Sequence, residues 1–112
     1  MFQAPTYIVL DLPPEIGAEV TDLRLRYAEF EANLPPEITV AGSSGIGVLA
    51  HHQDAEHVYE KIQRVASACK PFASSFVSIE RFPGVPIFWL KPRDRTPFDA
   101  LQKALVDTGI QF

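Results

Sequence analysis

The sequence predicts an α+β fold of element order β-α-β-α-β-β-α, a mainly antiparallel sheet with helices on one face. Three observations predict it. Two short β-rich runs are each followed by a stretch of helical periodicity. A Pro-Gly pair separates two further β-rich runs. A third helical stretch opens on Thr96-Pro97 and closes at Gly109.

The first strand is placed at residues 7–12, YIVLDL. Pro13-Pro14 ends it, because proline cannot donate to a sheet ladder. A helix follows, with Ile16, Val20, Leu23, Tyr27 and Phe30 on one face and Glu19, Asp22, Arg24, Arg26 and Glu29 on the solvated side. Pro35-Pro36 stops it. The second strand is placed at residues 38–41, ITVA, and GSSGIG at 42–47 reads as a flexible loop. Asp54 is placed to cap a second helix. Val58, Tyr59, Ile62, Val65, Ala66 and Cys69 form its apolar stripe, and Pro71 ends it. Residues 76–82 and 85–90, FVSIERF and VPIFWL, predict a hairpin around Pro83-Gly84, with Pro86 at an edge or bulge. Phe88 and Trp89 alternate, so one is expected to pack on the helices and the other to meet a second surface. In the last helix Thr96 is the expected N-cap, Pro97 suits the first helical position and Asp99 favours the positive end. Phe98, Leu101 and Leu105 face inward.

The chain has 112 residues, which predicts one domain spanning 1–112. Hydrophobic residues make up 46% and charged residues 21%, ordinary for a globular protein. The net charge of −4 argues against a general nucleic-acid binder, and no DNA partner is expected. An RNA-end site needs only a few local donors and is compatible with that charge. A single cysteine, Cys69, excludes an intramolecular disulfide and fits a reducing compartment. No apolar run is long enough to span a bilayer, and the N-terminus lacks a basic start. The expected location is the cytoplasm, with no membrane partner.

The candidate chemistry is sparse. GSSGIG lacks the Lys-Ser/Thr ending of a P-loop and the glycine spacing of a dinucleotide fingerprint. Its backbone N–H groups could cradle an anion, or the loop is a plain turn. His51, His52 and His57 lack the four-residue spacing of helical metal ligands, and no metal site is expected. Cys69 reads as a core residue on its stripe. Lys91, Arg93 and Arg95 read as a solvated cluster, or as a phosphate contact. Glu37 and Thr39 share one strand face, since side chains alternate with period 2. Together they could position a substrate, with Glu37 as acid or base if buried; otherwise Glu37 is a surface residue.

The assembled features resemble the 2H phosphoesterase superfamily, the family of 2′-5′ RNA ligases and cyclic phosphodiesterases. YIVLDLPPE is similar to its first strand and helix entry. LPPEITVAGSSG is similar to its first His-x-Thr strand and following loop. RFPGVPIFWLKP is similar to its hairpin, and FDALQKALVDTGIQF to the helix before its second His-x-Thr motif.

The resemblance implies two α+β lobes facing across a cleft, each giving one histidine and one hydroxyl residue. One histidine acts as base and the other as acid at a phosphodiester, typically a 2′,3′-cyclic phosphate or a 2′-5′ linkage. Neither metal nor cofactor is implied. Thr39 matches the hydroxyl position, but Glu37 stands at the histidine position. The sequence stops at Phe112, about where the second motif would follow, so the expected fold is the family's, truncated before its last motif. His51 and His52 lie in the wrong segment to replace the missing histidines. Glutamate has an ordinary pKa of about 4.3 against about 6.5 for histidine, so it does not take over the proton transfers without burial.

The candidate catalytic residues are therefore Glu37 and Thr39. The candidate substrate-binding residues are Thr39, Gly42, Ser43 and Ser44. The first reading is a divergent family member, weak or inactive as an enzyme, that binds a nucleotide or an RNA-end phosphate. The second is an active 2′,3′-cyclic phosphodiesterase completed by a homodimer partner or by chain beyond Phe112, favoured by unpaired edge strands. The third is a structural or interaction protein without a ligand.

Overall fold

A computed structural model describes residues 1–29, 32–42, 45–85 and 88–112. The chain is α+β, with the predicted order β1 (Ile8–Asp11), α1 (Pro14–Tyr27), β2 (Glu37–Ala41), α2 (Ala55–Ala68), β3 (Phe76–Arg81), β4 (Phe88–Pro92) and α3 (Thr96–Asp107). The strands pair as two antiparallel two-stranded sheets, β1–β2 and β3–β4. The chain divides into two compact units: Met1–Asp54 with Gln111–Phe112, and Ala55–Ile110. No helix among the described residues is long and apolar enough to cross a membrane.

The first unit is built on β1, α1 and β2. Val40, Ala41 and Leu49 are its buried apolar residues. Its two ends are tied by a short loop: Leu49 N–H donates to Thr6 O at 3.0 Å, and Ala50 N–H to Gln111 O at 2.9 Å. The Gln53 amide reads the main chain of Gln111 on both sides, donating to its carbonyl at 2.7 Å and accepting from its N–H at 2.8 Å.

Helix α1 departs from its expected face. Ile16, Leu23 and Tyr27 are exposed, Tyr27 by 83%. The inward stripe is Gly17, Val20, Thr21 and Arg24 instead, a rotation of about one residue. Two contacts cause it. Pro36 approaches Gly17 so closely that an added Cβ would meet the proline ring at 3.4 Å. Arg24 donates to the carbonyl of Leu34 at 2.8 Å. The segment after the helix therefore folds back over a face that apolar periodicity does not mark. The helix ends at Tyr27, so Phe30, expected on its apolar face, lies beyond it and outside the described residues.

The second unit holds α2, the β3–β4 hairpin and α3. Helix α2 begins directly after Asp54, as expected. Burial fades along its stripe: Val58 is buried, Ile62 and Val65 are half-buried, and Tyr59 and Ala66 are exposed. Cys69 is exposed, not core, because it lies past the last helical residue where the stripe has run out. Helices α2 and α3 touch. Leu105, 2% exposed, is the largest fully buried side chain among the described residues. Phe98 packs edge-on against Phe72, ring centroids 5.2 Å apart.

The hairpin turns where expected. Val85 N–H donates to Phe82 O at 3.4 Å across Pro83-Gly84. Gly84 has φ +78, which with proline before it is the geometry of a type II turn and favours glycine. Strand β4 runs over Phe88–Pro92 among the described residues. Pro86, expected at an edge or bulge, lies outside the described residues. Phe88 is 63% and Trp89 38% exposed, so neither is covered as expected. Trp89 instead lies beside Phe82 on the same hairpin, centroids 6.0 Å apart.

At α3 the cap is not Thr96. Arg95 occupies the N-cap position with no side-chain cap bond, Thr96 is the first helical residue, and Asp94 Oδ1 accepts from the Thr96 N–H at 2.9 Å. Asp99 sits in the first turn and pairs with Arg95 at 3.5 Å, and Gly109 closes the helix with φ +88. Backbone and side-chain hydrogen bonds from Thr96 hold the Asp94 carboxyl below the usual carboxylate range. A depressed folded-state pKa contributes stability above the unfolded value near 3.9, and that contribution is lost as pH falls through the folded value. Asparagine caps without titrating. The unfolding midpoint of the native chain should therefore fall, relative to Asp94→Asn, below about pH 4. A constant difference between the two across that range would remove Asp94 from the acid response.

Candidate functional site

The β1–β2 ribbon has one buried and one open face. The register pairs Asp11 with Glu37, Leu10 with Ile38, and Val9 with Thr39, then shifts so that Ile8 meets Ala41. The shift is a bulge that sets Val40 and Ala41 against the single residue Ile8. Both are buried, which breaks the strict alternation at that point. Before the bulge the period-2 expectation holds. Glu37 and Thr39 are both exposed and share a face, while Ile38 and Val40 turn inward.

The bulge also brings Gly42 back beside Thr39. A Cβ at Gly42 would lie 2.6 Å from the Thr39 methyl carbon, and 3.5 and 3.7 Å from two carbons of the Tyr7 ring. No other residue fits there without moving Thr39. Gly42 itself is buried. Its role is thus to let a threonine and a tyrosine converge on one point. Ser43 and Ser44, the other two residues expected to bind substrate, lie outside the described residues.

Two rungs therefore line the open face, Asp11 with Glu37 and Val9 with Thr39, and the Tyr7 ring comes beside Thr39 where Gly42 leaves room. Asp11 was not legible as a site residue, because it faces Glu37 only through a pairing that spans the whole of α1. Directly opposed like charges repel. An anion at Glu37 would meet two carboxylates.

The remaining candidates have partners of their own. His51 and His52 are exposed with rings 6.0 Å apart, and His52 Nε2 lies 2.6 Å from Gln111 Oε1. Among the described residues no group of three or more histidine, cysteine, aspartate or glutamate side chains could hold a metal ion. Arg93 donates to Ser75 Oγ at 3.2 Å, and Arg95 is paired with Asp99. The shallow hollows along α2, one lined by Glu60, Gln63, Arg64, Ser67 and Ala68, include no residue of β1 or β2.

A family model described as the 2′-5′ RNA ligase superfamily matches residues 12–109. The chain belongs to that superfamily. The match runs through both units and includes β2 with Glu37 and Thr39. No curated protein and no solved structure shows a match to the chain. In this member of the 2′-5′ RNA ligase superfamily the matched span holds an exposed Thr39 and, one rung away and opposite Asp11, an exposed Glu37.

Proposed function

We propose that this 2′-5′ RNA ligase superfamily member binds a nucleotide or RNA-end phosphate through Thr39, and that it is weak or inactive as a phosphodiesterase. The observation that carries the reading is the Asp11–Glu37 rung. Acid–base cleavage at phosphorus needs a group that both takes and gives a proton near neutral pH. Burial is the usual way a glutamate is brought to that duty, and Glu37 is exposed. Paired with Asp11, it also repels the anion that the family's histidine would attract. None of the three histidines has a serine or threonine two positions on, so no second His-x-Thr stands in these residues. The hydroxyl of Thr39 keeps its place on the open face and can still donate to a phosphate oxygen.

This reading places the protein in the cytoplasm, where RNA ends and cyclic nucleotides are found. The test is hydrolysis of a 2′,3′-cyclic nucleotide by purified protein with a chelator present, beside binding of adenosine 3′-phosphate. We expect no turnover, measurable binding, and loss of that binding in Thr39→Val with the fold unchanged by circular dichroism. Turnover would overturn the inactive reading and point to a cleft completed by a second copy. An unchanged isotherm in Thr39→Val would remove Thr39 from the site.

A further inference from the structure

We propose that Tyr7 is a stacking platform for a nucleobase, so that the ligand of the open face is a base-bearing nucleotide rather than a bare phosphate ester. The inference rests on the reading of Thr39 as the phosphate contact and names the class of ligand that the same site takes.

Three observations carry it. Tyr7 is 48% exposed, yet it is not a loose surface side chain: the edge of its ring rests near Gly42, where the Thr39 methyl also rests. A half-open aromatic residue thus stands beside Thr39. The spacing also fits. Tyr7, the residue before β1, lies two positions from Val9, about 6.8 Å if the chain stays extended, and Val9 is the cross-strand partner of Thr39. The phosphate and base of one nucleotide can span that distance. Finally, charge sets the direction. The Asp11–Glu37 rung excludes the phosphate from one side of Thr39, so a phosphate held at Thr39 directs the rest of its ligand towards Tyr7.

Base–aromatic stacking tolerates any base, because every base has a π-face. The platform therefore selects nucleotides over sugar phosphates without selecting a sequence. The Tyr7 hydroxyl is not needed for stacking, so phenylalanine should serve equally well.

The experiment titrates the whole chain with adenosine 3′-phosphate and, separately, with inorganic phosphate, following amide and Tyr7 ring resonances by NMR. In the native protein the nucleotide should bind more tightly than phosphate and move the Tyr7 ring signals upfield. Tyr7→Ala should weaken nucleotide binding by about 5- to 150-fold, the range of one base stack, and leave phosphate binding unchanged. Tyr7→Phe should bind as the native protein does. If Tyr7→Ala does not fold, Tyr7→Leu keeps apolar bulk at the position and lacks the ring face. Nucleotide affinity within twofold of native in Tyr7→Ala or Tyr7→Leu, with loss in Thr39→Val, overturns the platform and leaves the phosphate reading standing. No binding of either probe to the native protein overturns both.

Discussion

Replacing Leu105 by alanine should lower the stability of the Ala55–Ile110 unit by about 2–5 kcal/mol, the range for removing a buried leucine side chain. Leu105 is 2% exposed, and it sits on α3, which touches α2. Its removal forfeits the transfer energy of the lost carbons and leaves a cavity that two packed helices can only partly close. The neighbouring Val106 is 43% exposed, so Val106→Ala should change stability by about 0.5 kcal/mol or less. Alanine is the better helix former at both positions, so a loss at Leu105 alone reports burial and not helix propensity. Denaturant unfolding followed by the single tryptophan, Trp89 on β4 of the same unit, reads both variants. Equal midpoints for the two would mean that Leu105 is not a core residue of α3.

The residues that were legible in the sequence share a property: their signals are local. Pro83-Gly84 specifies a turn by its own backbone preferences, and the hairpin follows from it. The inward set Phe98, Leu101 and Leu105 reads off the helical period directly. Glu37 and Thr39 share a face because two residues of one strand must. The misreadings share the opposite property. The stripe of α1 is set by Pro36 and Leu34, which fold back onto Gly17 and Arg24 from beyond the helix. Thr96, a good cap type, is already helical, and the Asp94 carboxylate accepts its N–H from two residues before, a contact that cap preference at Thr96 did not mark. Cys69 continues the periodicity of α2 past the helix's end, where periodicity no longer reports burial. Asp11 joined the site only through the β1–β2 register, and register depends on a pairing across a 14-residue helix. The bulge that brings Gly42 to Thr39 is a property of the same pairing. Local rules reached the family and its strand, and the nonlocal register decided what that strand can do.

Glu37→His is the variant that divides binding from catalysis. It should strengthen adenosine 3′-phosphate binding about 3- to 50-fold. Glu37 and Thr39 are two residues apart, about 7 Å at the strand rise, and removing one negative charge at that distance from a phosphate is worth about 0.6 kcal/mol in water and about 2.4 kcal/mol at the effective dielectric of a protein surface. Most of the gain should vanish as salt is raised towards 1 M, where screening reaches within that distance. The same substitution sets an imidazole opposite Asp11 in place of a second carboxylate, turning a repulsive cross-strand pair into an attractive one. The variant should therefore also be more stable than the native chain, by up to about 1 kcal/mol below the ordinary histidine pKa near 6.5. Hydrolysis of a 2′,3′-cyclic nucleotide should nonetheless stay flat. One histidine can serve as base or acid, but the leaving oxygen needs the other group on the far side of phosphorus at the same time. If a rate appears and grows with protein concentration, the second group comes from another copy, and the native protein is then a phosphodiesterase held back by one residue. If binding tightens without a rate, Glu37 marks a site turned from cleavage to recognition.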